Sequence, residues 1–346
     1  MTVSSAAPAT MLDVARAAGV SRATVSRVFT SPSSVAEETR TKVMDAVAQL
    51  NYVLNNAARS LRSGRSNTIA LLVGDIAQPF HSQLAKAVAL AAEGRGFSVL
   101  LCDLDHSITR LERLLESLPL QGVDGVILAT GDDIDTAAVR AAIREAEERD
   151  TKILLGTPQL AGTGTLVMTT DYESVAYQAT KHLLDQGRWP VALLGGSASS
   201  VLSPFLRAGY LRACAEAGHA QDEARIALTE YSTDAARAAT QQLLSEPVPP
   251  EGIVASSVSV ALGAMSALAD DGLGAPGRIG LVACEEVLLA EQLRPRLTTV
   301  GTKLNLQGAA MADALIDAIQ GVATESQDWA PQLNLRESSG QLPPNK

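Results

Sequence analysis

The chain has 346 residues, 46% of them hydrophobic, and a formal net charge of −10. That is enough length and apolar content for two or three domains with α/β cores. Its three cysteines, Cys102, Cys214 and Cys284, are odd in number and far apart, which excludes a disulfide framework or a CxxC metal pair and makes a reducing, cytoplasmic setting the expectation. The opening MTVSSAAPAT has neither a basic n-region nor an apolar h-region, and no apolar run reaches membrane-span length, so export and membrane insertion are not expected.

Residues 11–30, MLDVARAAGVSRATVSRVFT, read as two short helices broken at Gly19. Leu12, Val14, Ala15 and Ala18 form an apolar stripe for the first helix, and Gly19 can take the positive φ of a helix end. Val20 plugs inward, and Ser21 is a good N-cap for the second helix. In that helix Ala23, Val25 and Val28 supply the packing side, while Arg22, Thr24, Ser26 and Arg27 stay polar. This is a helix-turn-helix pattern, whose second helix suits a DNA major groove; an ordinary αα-hairpin is the alternative. The N-terminal residues of such a helix meet base edges, which makes Arg22 and Ala23 the candidate readers: Arg22 for guanine O6 and N7, Ala23 for a thymine methyl. Ser21, Thr24, Ser26, Arg27 and Thr30 complete the candidate DNA-binding set. After Pro32, Val43, Val47 and Leu50 at helical spacing predict a third helix that closes the domain.

Charge distribution supports this reading better than the net charge does. Residues 1–66 hold eight basic residues against four acidic ones, leaving 20 basic and 34 acidic residues for the rest. A head of +4 on a body of −14 focuses DNA on the head. Next, residues 55–63 form a basic segment with Leu61 as its one large apolar side chain. Nine residues are too few for a stable isolated helix, so this hinge should fold mainly on DNA. Beyond residue 67, short apolar strands recur about every 28 residues, at Ile69–Val73, Ser98–Cys102, Gly125–Ala129 and Lys152–Gly156, with helical stretches between them such as the face Leu111, Leu114, Leu115 and Leu118. A second set follows, with VALLG at 191, GIVAS at 252 and RIGLVAC at 278; EPVPPEG at 246–252 reads as a loop inside it. Strands alternating with helices imply two doubly wound parallel halves, with any ligand at the strands' carboxyl ends.

The strings D-V-A-x-x-A-G-V-S-x-x-T-V-S-R-V, E-T-R-x-K-V, N-Y, N-x-x-A-R-S-L-R-x-G and N-T-I resemble the LacI family of bacterial transcription regulators. The likeness continues through Asp75-Ile76 with Pro79-Phe80, GVDGVIL at 122–128, ALGAMSAL at 261–268 and LRPRLTTV at 293–300. It implies a helix-turn-helix head (1–54), a hinge helix and linker (55–66) and a periplasmic-binding-protein-like core (67–346). By resemblance, the chain crosses between the core's halves near 167, 297 and 326, giving an N-subdomain of about 67–167 and 298–325 and a C-subdomain of about 168–297 and 326–346. The resemblance further implies a hinge helix in the minor groove, with Leu61 wedged between central base pairs and Ala58 against a partner hinge. Asn55, Arg59 and Arg62 then join the candidate DNA contacts. Leu54 stands where relatives usually carry proline. No leucine heptad follows Arg336, so a zipper-made tetramer is not expected.

The cleft departs from the family pattern. Sugar-binding members usually carry an Asn-Asp pair before A-L-G, an arginine in R-x-x-G-F and an aspartate in G-F-D-D. Here Ser257 and Val258 occupy the first, Leu206 the second with Arg207 about 100° further round a helix, and Ala283-Cys284-Glu285-Glu286 the third. Losing Asn and Arg together removes the groups that fork onto hydroxyls or carboxylates, so common hexoses and pentoses are expected to have little effect. Candidate effector residues are Asp75, Phe80, His81, Asp171, Ser203, Leu206, Arg207, Ser257 and Glu285. No metal and no cofactor is expected: His81, Asp103, Asp105 and His106 lack ligand spacing on one element, and the serine- and glycine-rich run at 195–200 lacks a P-loop's spacing and lysine.

The expected function is therefore a non-enzymatic, sequence-specific transcription regulator, a repressor, binding a pseudo-palindromic operator as a homodimer under control of an unknown small molecule. A regulator with no small-molecule effector, or with a protein coregulator, is the alternative. A solute-binding protein would have no use for residues 11–63, and an enzyme would need a nucleophile with its base, a GxGxxG after the first strand or paired carboxylates, none of which is evident.

Overall fold

The computed structural model describes residues 9–30, 32–50, 52, 65–160, 163–219 and 223–340. The chain divides into two compact units, Met1–Ser66 and Asn67–Lys346.

Among the described residues, the first unit holds the helices α1 (Met11–Ala18), α2 (Arg22–Thr30) and α3 (Glu37–Gln49). Thr10 and Asp13 form a reciprocal capping box at the start of α1, and Gly19 ends it at φ 66°, a left-handed conformation in which glycine carries no Cβ penalty. Val14, Ala15, Val25, Val28, Val43, Ala46 and Tyr52 make the core, with Met11, Ala18, Val20, Val47 and Leu50 packed against it. Leu12, expected in the stripe, is 42% exposed. Val14, Ala15 and Ala18 already define the buried face, and Leu12 projects from the other side with Met11 in its place.

The second unit holds two six-stranded sheets of the same plan. The first uses β1 (Thr68–Val73), β2 (Ser98–Asp103), β3 (Gly125–Ala129), β4 (Lys152–Leu155), β5 (Leu166–Thr170) and β11 (Gln327–Trp329), in the order β11-β5-β4-β3-β1-β2. The second uses β6 (Val191–Leu194), β7 (Ile226–Ala227), β8 (Gly252–Ala255), β9 (Gly280–Ala283), β10 (Thr298–Gly301) and β12 (Gln332–Asn334), in the order β12-β10-β9-β8-β6-β7. All pairs are parallel except β10 with β12. The first five strands of each sheet follow the doubly wound order 2-1-3-4-5, which leaves a crevice at the switch point.

Helices cover both faces, which explains why the central strands are buried end to end. Around the first sheet run α4 (Pro79–Gly94), α5 (Ile108–Leu120), α6 (Ala137–Glu148) and α12 (Leu304–Gln320); around the second, α7 (Tyr172–Asp185), α8 (Ser203–Glu216), α9 (Thr233–Leu244) and α10 (Val258–Asp270), with the short α11 (Leu289–Gln292) after β9. Alternation along β1 sends Ile69, Leu71 and Val73 to one core and Ala70 and Leu72 to the other, as strand geometry requires. The edge strand β2 differs: Leu100 and Leu101 are 40% and 44% exposed.

The chain passes between the halves after Thr170, after Gly301 and between Trp329 and Gln332. These crossings fall three to four residues beyond the expected 167, 297 and 326. The sequence reading therefore put β10 in the N-subdomain and β11 in the C-subdomain, and each belongs to the opposite sheet. A strand joins whichever sheet edge offers it hydrogen bonds, and three- or four-residue segments carry no pattern that announces which. The loop expected at 246–252 does lie inside the second half, between α9 and β8.

Candidate functional site

Two surfaces carry the candidate residues. On the first unit, the Ser21 hydroxyl accepts from Thr24 N at 3.1 Å and pairs with Thr24 Oγ1 at 2.9 Å, which satisfies a free amide at the start of α2. Val25 and Val28 are buried beneath the helix, while Arg22, Ala23 and Arg27 are exposed and Thr24 and Ser26 half-buried. Ala23, read from sequence as both a packing and a reading residue, is on the outer face. α2 thus presents two guanidiniums and a methyl from a helix whose back is locked into the core. Thr30 ends the helix. Asn55, Ala58, Arg59, Leu61 and Arg62, with Leu54, lie outside the described residues.

The second surface is the cleft between the two sheets, at the carboxyl ends of their strands. Its walls are set by the residues that follow each strand: Thr130 and Gly131 after β3, Gly156 and Thr157 after β4, Thr170 and Tyr172 around the end of β5, Ser256 after β8, Cys284 and Glu285 after β9, and Thr302 after β10. Phe80, His81 and Leu84 from α4, Leu206 from α8, Gln307 and Met311 from α12, and Tyr231 ahead of α9 complete it. They line an open cleft with a central cavity of about 70 Å³, room for several waters or the polar groups of a small ligand.

Four of the nine sequence-derived effector candidates line this cavity: Phe80, His81, Leu206 and Glu285. Phe80 packs against the cores of both halves. The buried His81 ring donates from Nδ1 to the Asp75 carbonyl at 2.8 Å, and burial lowers its pKa. Asp75 instead borders a neighbouring opening shared with His106, Asp132, Ser197 and Tyr231; its carboxylate accepts from Ala77 N at 2.8 Å.

The other four do not line the cavity. Asp171 is exposed and N-caps α7 through Ser174 N at 2.9 Å; its neighbours Thr170 and Tyr172 face the cleft. The Ser203 hydroxyl donates to the Ser197 carbonyl at 2.7 Å, pinning the loop ahead of α8. Arg207 is exposed and ion-paired with Glu223, because one residue along a helix turns the side chain about 100°. Ser257, 1% exposed, caps α10 through Val260 N at 3.2 Å, and it is Ser256 that lines the cavity. Sequence reasoning missed Tyr172, Tyr231, Thr157, Ser256, Thr302 and Gln307. The strand-end rule was signal enough for those placed directly after a strand; nothing local marked Tyr231 or Gln307.

Electrostatically the cleft is acidic. Burial holds the Glu285 carboxyl up at about 7, against a backbone hydrogen bond that pulls it down: Glu285 Oε2 accepts from Val258 N at 2.9 Å, at the start of α10. Burial, with the nearby Glu285 charge, raises the Tyr172 phenol, and burial pushes Tyr231 up to about 12. Glu286 is held by Arg336 through bonds of 2.6 and 3.0 Å, and Arg336 is only 10% exposed. Asp132 accepts from Thr130 Oγ1 at 2.6 Å and His106 Nδ1 at 3.0 Å.

The halves also touch directly across the cleft mouth. Val201 N donates to the Gly131 carbonyl at 2.9 Å and Asp133 N to the Ser199 carbonyl at 3.2 Å, an antiparallel bridge centred on Asp132 and Ser200. Asp132 and Asp133 thus supply part of a clasp. Among the described residues no group of His, Cys, Asp and Glu is arranged to hold a metal ion, and no helix is long and apolar enough to cross a membrane.

A helix-turn-helix head with a capped, basic outer face, carried on the same chain as a two-lobed clamp with a cleft at its strand ends, defines a ligand-responsive DNA-binding regulator. Residues 10–55 match the family model of bacterial regulatory proteins, lacI family, and residues 66–336 that of periplasmic binding proteins and the sugar binding domain of the LacI family. The chain belongs to the LacI family of bacterial transcription regulators. It is 31% identical over 300 residues, 87% of this chain and 88% of the relative, to the HTH-type transcriptional regulator DegA of Bacillus subtilis (strain 168). A lac repressor dimer bound to operator and the anti-inducer ONPF has a TM-score of 0.82 at 28% identity, covering 96% of this chain and 99% of the other. The complex of the transcriptional regulator CelR with cellobiose has a TM-score of 0.69 at 29% identity, covering 96% and 100%.

Proposed function

We propose that the chain is a cytoplasmic repressor that binds a pseudo-palindromic operator as a homodimer and is released or locked by a small molecule in the core cleft. The observation that carries this is the outer face of α2, where Arg22, Ala23 and Arg27 are exposed above buried Val25 and Val28. Arg22 reads guanine and Ala23 a thymine methyl, while Ser21, Thr24, Ser26, Arg27 and Thr30 secure the helix against phosphates. The hinge contributes Asn55, Arg59 and Arg62 to the backbone, Leu61 as a wedge in the central minor groove and Ala58 to the partner hinge. Dimer formation is supported by β2, an edge strand whose Leu100 and Leu101 are exposed and which a second copy would cover.

Control follows from the clamp. A ligand shifts the open–closed equilibrium only through unequal affinity for the two forms, and closure changes how the dimer holds the hinge ends. Because the hinge is too short to be helical alone, its folding and hence operator affinity respond to that spacing. Phe80, His81, Leu206 and Glu285 are the candidate contacts of the ligand, joined by Tyr172, Tyr231 and Ser256, and the Asp132–Ser200 bridge stabilises the closed form. An electrophoretic shift series over operators of varied half-site spacing tests the proposal: tight binding is expected only when half-sites lie about one helical turn apart, and indifference to spacing would overturn the dimeric reading.

A further inference from the structure

We propose that the cleft takes a small hydroxylated ammonium compound, an amino alcohol or amino sugar with its amine free and protonated, in preference to a neutral sugar or an anion. The inference rests on the regulator reading above and names the ligand class of its cleft.

Three observations carry it. No lysine or arginine is among the described lining residues, whereas Asp132, Glu285 and Glu286 are. Arg336 neutralises Glu286 and His106 faces Asp132, but Glu285 has only the Val258 amide as a partner among the described residues. One of its carboxylate oxygens is therefore left to the cavity, opposite no cation. An anionic ligand would have to enter beside that carboxylate without a counter-charge, and a neutral one would leave its charge unmatched.

Second, the walls around Glu285 are aromatic: Phe80, Tyr172 and Tyr231 line the same small cavity. Ring faces attract an ammonium through their quadrupole, and a carboxylate among them completes a cation site. Third, the Ser256 hydroxyl is buried without a hydrogen-bond partner in a residue that lines the cavity. A buried polar group left unpaired is costly, and a ligand hydroxyl satisfies it. Thr130, Thr157, Thr302 and Gln307 add neutral donors and acceptors nearby, which suits hydroxyls on the same ligand as the amine.

The groups facing Glu285 agree on the sign of the pH response. Tyr172, Tyr231 and the adjacent Cys284 all have pKa values raised by burial and by the Glu285 charge, so they stay neutral while Glu285 titrates. His81 has its pKa lowered by burial, and across the cleft Asp132 is bonded to His106. With the Glu285 carboxyl at about 7, its ionised fraction rises about tenfold from pH 6 to pH 8. Ammonium binding should strengthen by about the same factor.

The test uses the full chain, thermal shift and operator affinity. Ethanolamine and glucamine are compared with their neutral matches ethylene glycol and sorbitol and with the anion glucose 6-phosphate. At pH 8 at least one amine is expected to raise the melting temperature and change operator affinity at concentrations where its neutral counterpart does neither, with about tenfold weaker binding at pH 6. Glu285→Gln, which keeps an acceptor for Val258 N, should weaken amine binding at least tenfold and flatten its pH profile, while its unliganded melting curve reports that the fold is intact. The inference is overturned if no amine exceeds its neutral match, if glucose 6-phosphate binds better than the amines, or if amine binding survives Glu285→Gln unchanged. Operator binding without any ligand is measured first. Its failure removes the regulator reading, whereas bound operator with an inert amine panel removes only the ligand class.

Discussion

Replacing Glu285 by glutamine should change how the core's stability depends on pH, whatever the ligand. In the unfolded chain this carboxyl titrates at its ordinary value of 4.5, and in the folded protein burial moves it to about 7. The folded state therefore holds a proton that the unfolded state releases between those values. Stability is greatest below pH 4.5 on this account and is lost as pH rises through 7. A gap of about 2.5 units corresponds to up to about 3 kcal/mol, the upper bound because Glu285 borders the cavity and any water there solvates it. For a core of this size that is roughly 6 °C in Tm. Glutamine does not titrate, so the difference in Tm between Glu285→Gln and the parent should rise from pH 5 to pH 8 by several degrees, with the variant gaining. Calorimetric or fluorescence melts at five or six pH values measure it, and other titrating groups cancel because both proteins contain them. Parallel Tm–pH curves would refute the argument, since they would mean that Glu285 keeps an ordinary pKa in the folded cleft.

Two further outcomes test the packing and the reading face. A Cβ at Gly209 would fall on the Glu173 carbonyl oxygen and 2.8 Å from Tyr177 N, forcing α7 and α8 apart, so Gly209→Ala should cost about 1–3 kcal/mol or more and lower the core's Tm by several degrees; an unchanged melt would show that these helices are not in close contact. Arg22→Ala should relax discrimination at one base pair of each half-site by about 1–3 kcal/mol, read by binding to a panel of single-base operator variants; a uniform loss across the panel would instead make Arg22 a phosphate contact.

The head was legible in the sequence because its determinants are local. Gly19 ends a helix, Ser21 caps the next, and Val14, Val25, Val28 and Val43 recur at spacings that permit one way of packing three short helices. The central strands were legible for a similar reason: parallel strands buried on both faces read as short continuous apolar runs, and the positions of β1, β3, β6 and β8 followed directly. The cleft was half legible. Phe80, His81, Leu206 and Glu285 fall where strand ends and helix starts converge, but Arg207 and Ser257 were each one residue away from the cavity: one position along a helix turns a side chain about 100°, and in the extended backbone at Ser257 successive side chains point to opposite sides.

Only the tertiary structure decided the rest. Which sheet takes β10 and β11 depends on which edge is open when they arrive: β10 adds to β9, and β11 to β5, a strand more than a hundred residues earlier, so three- or four-residue segments could not announce it. Tyr231 reaches the cleft from a loop with no motif, and the Asp132–Ser200 bridge joins two loops that are unremarkable apart. The pKa of Glu285 belongs to this level as well. A glutamate after a strand is an ordinary carboxylate in sequence; burial moves its carboxyl to about 7, because segments from elsewhere in the chain, among them those carrying Tyr172 and Tyr231, close around it and reduce the solvation of its charge. Local periodicity and capping determined the head's helices, the exposed outer face of α2 and the central strands, while the cleft's electrostatics came from burial, which exists only once distant segments have packed.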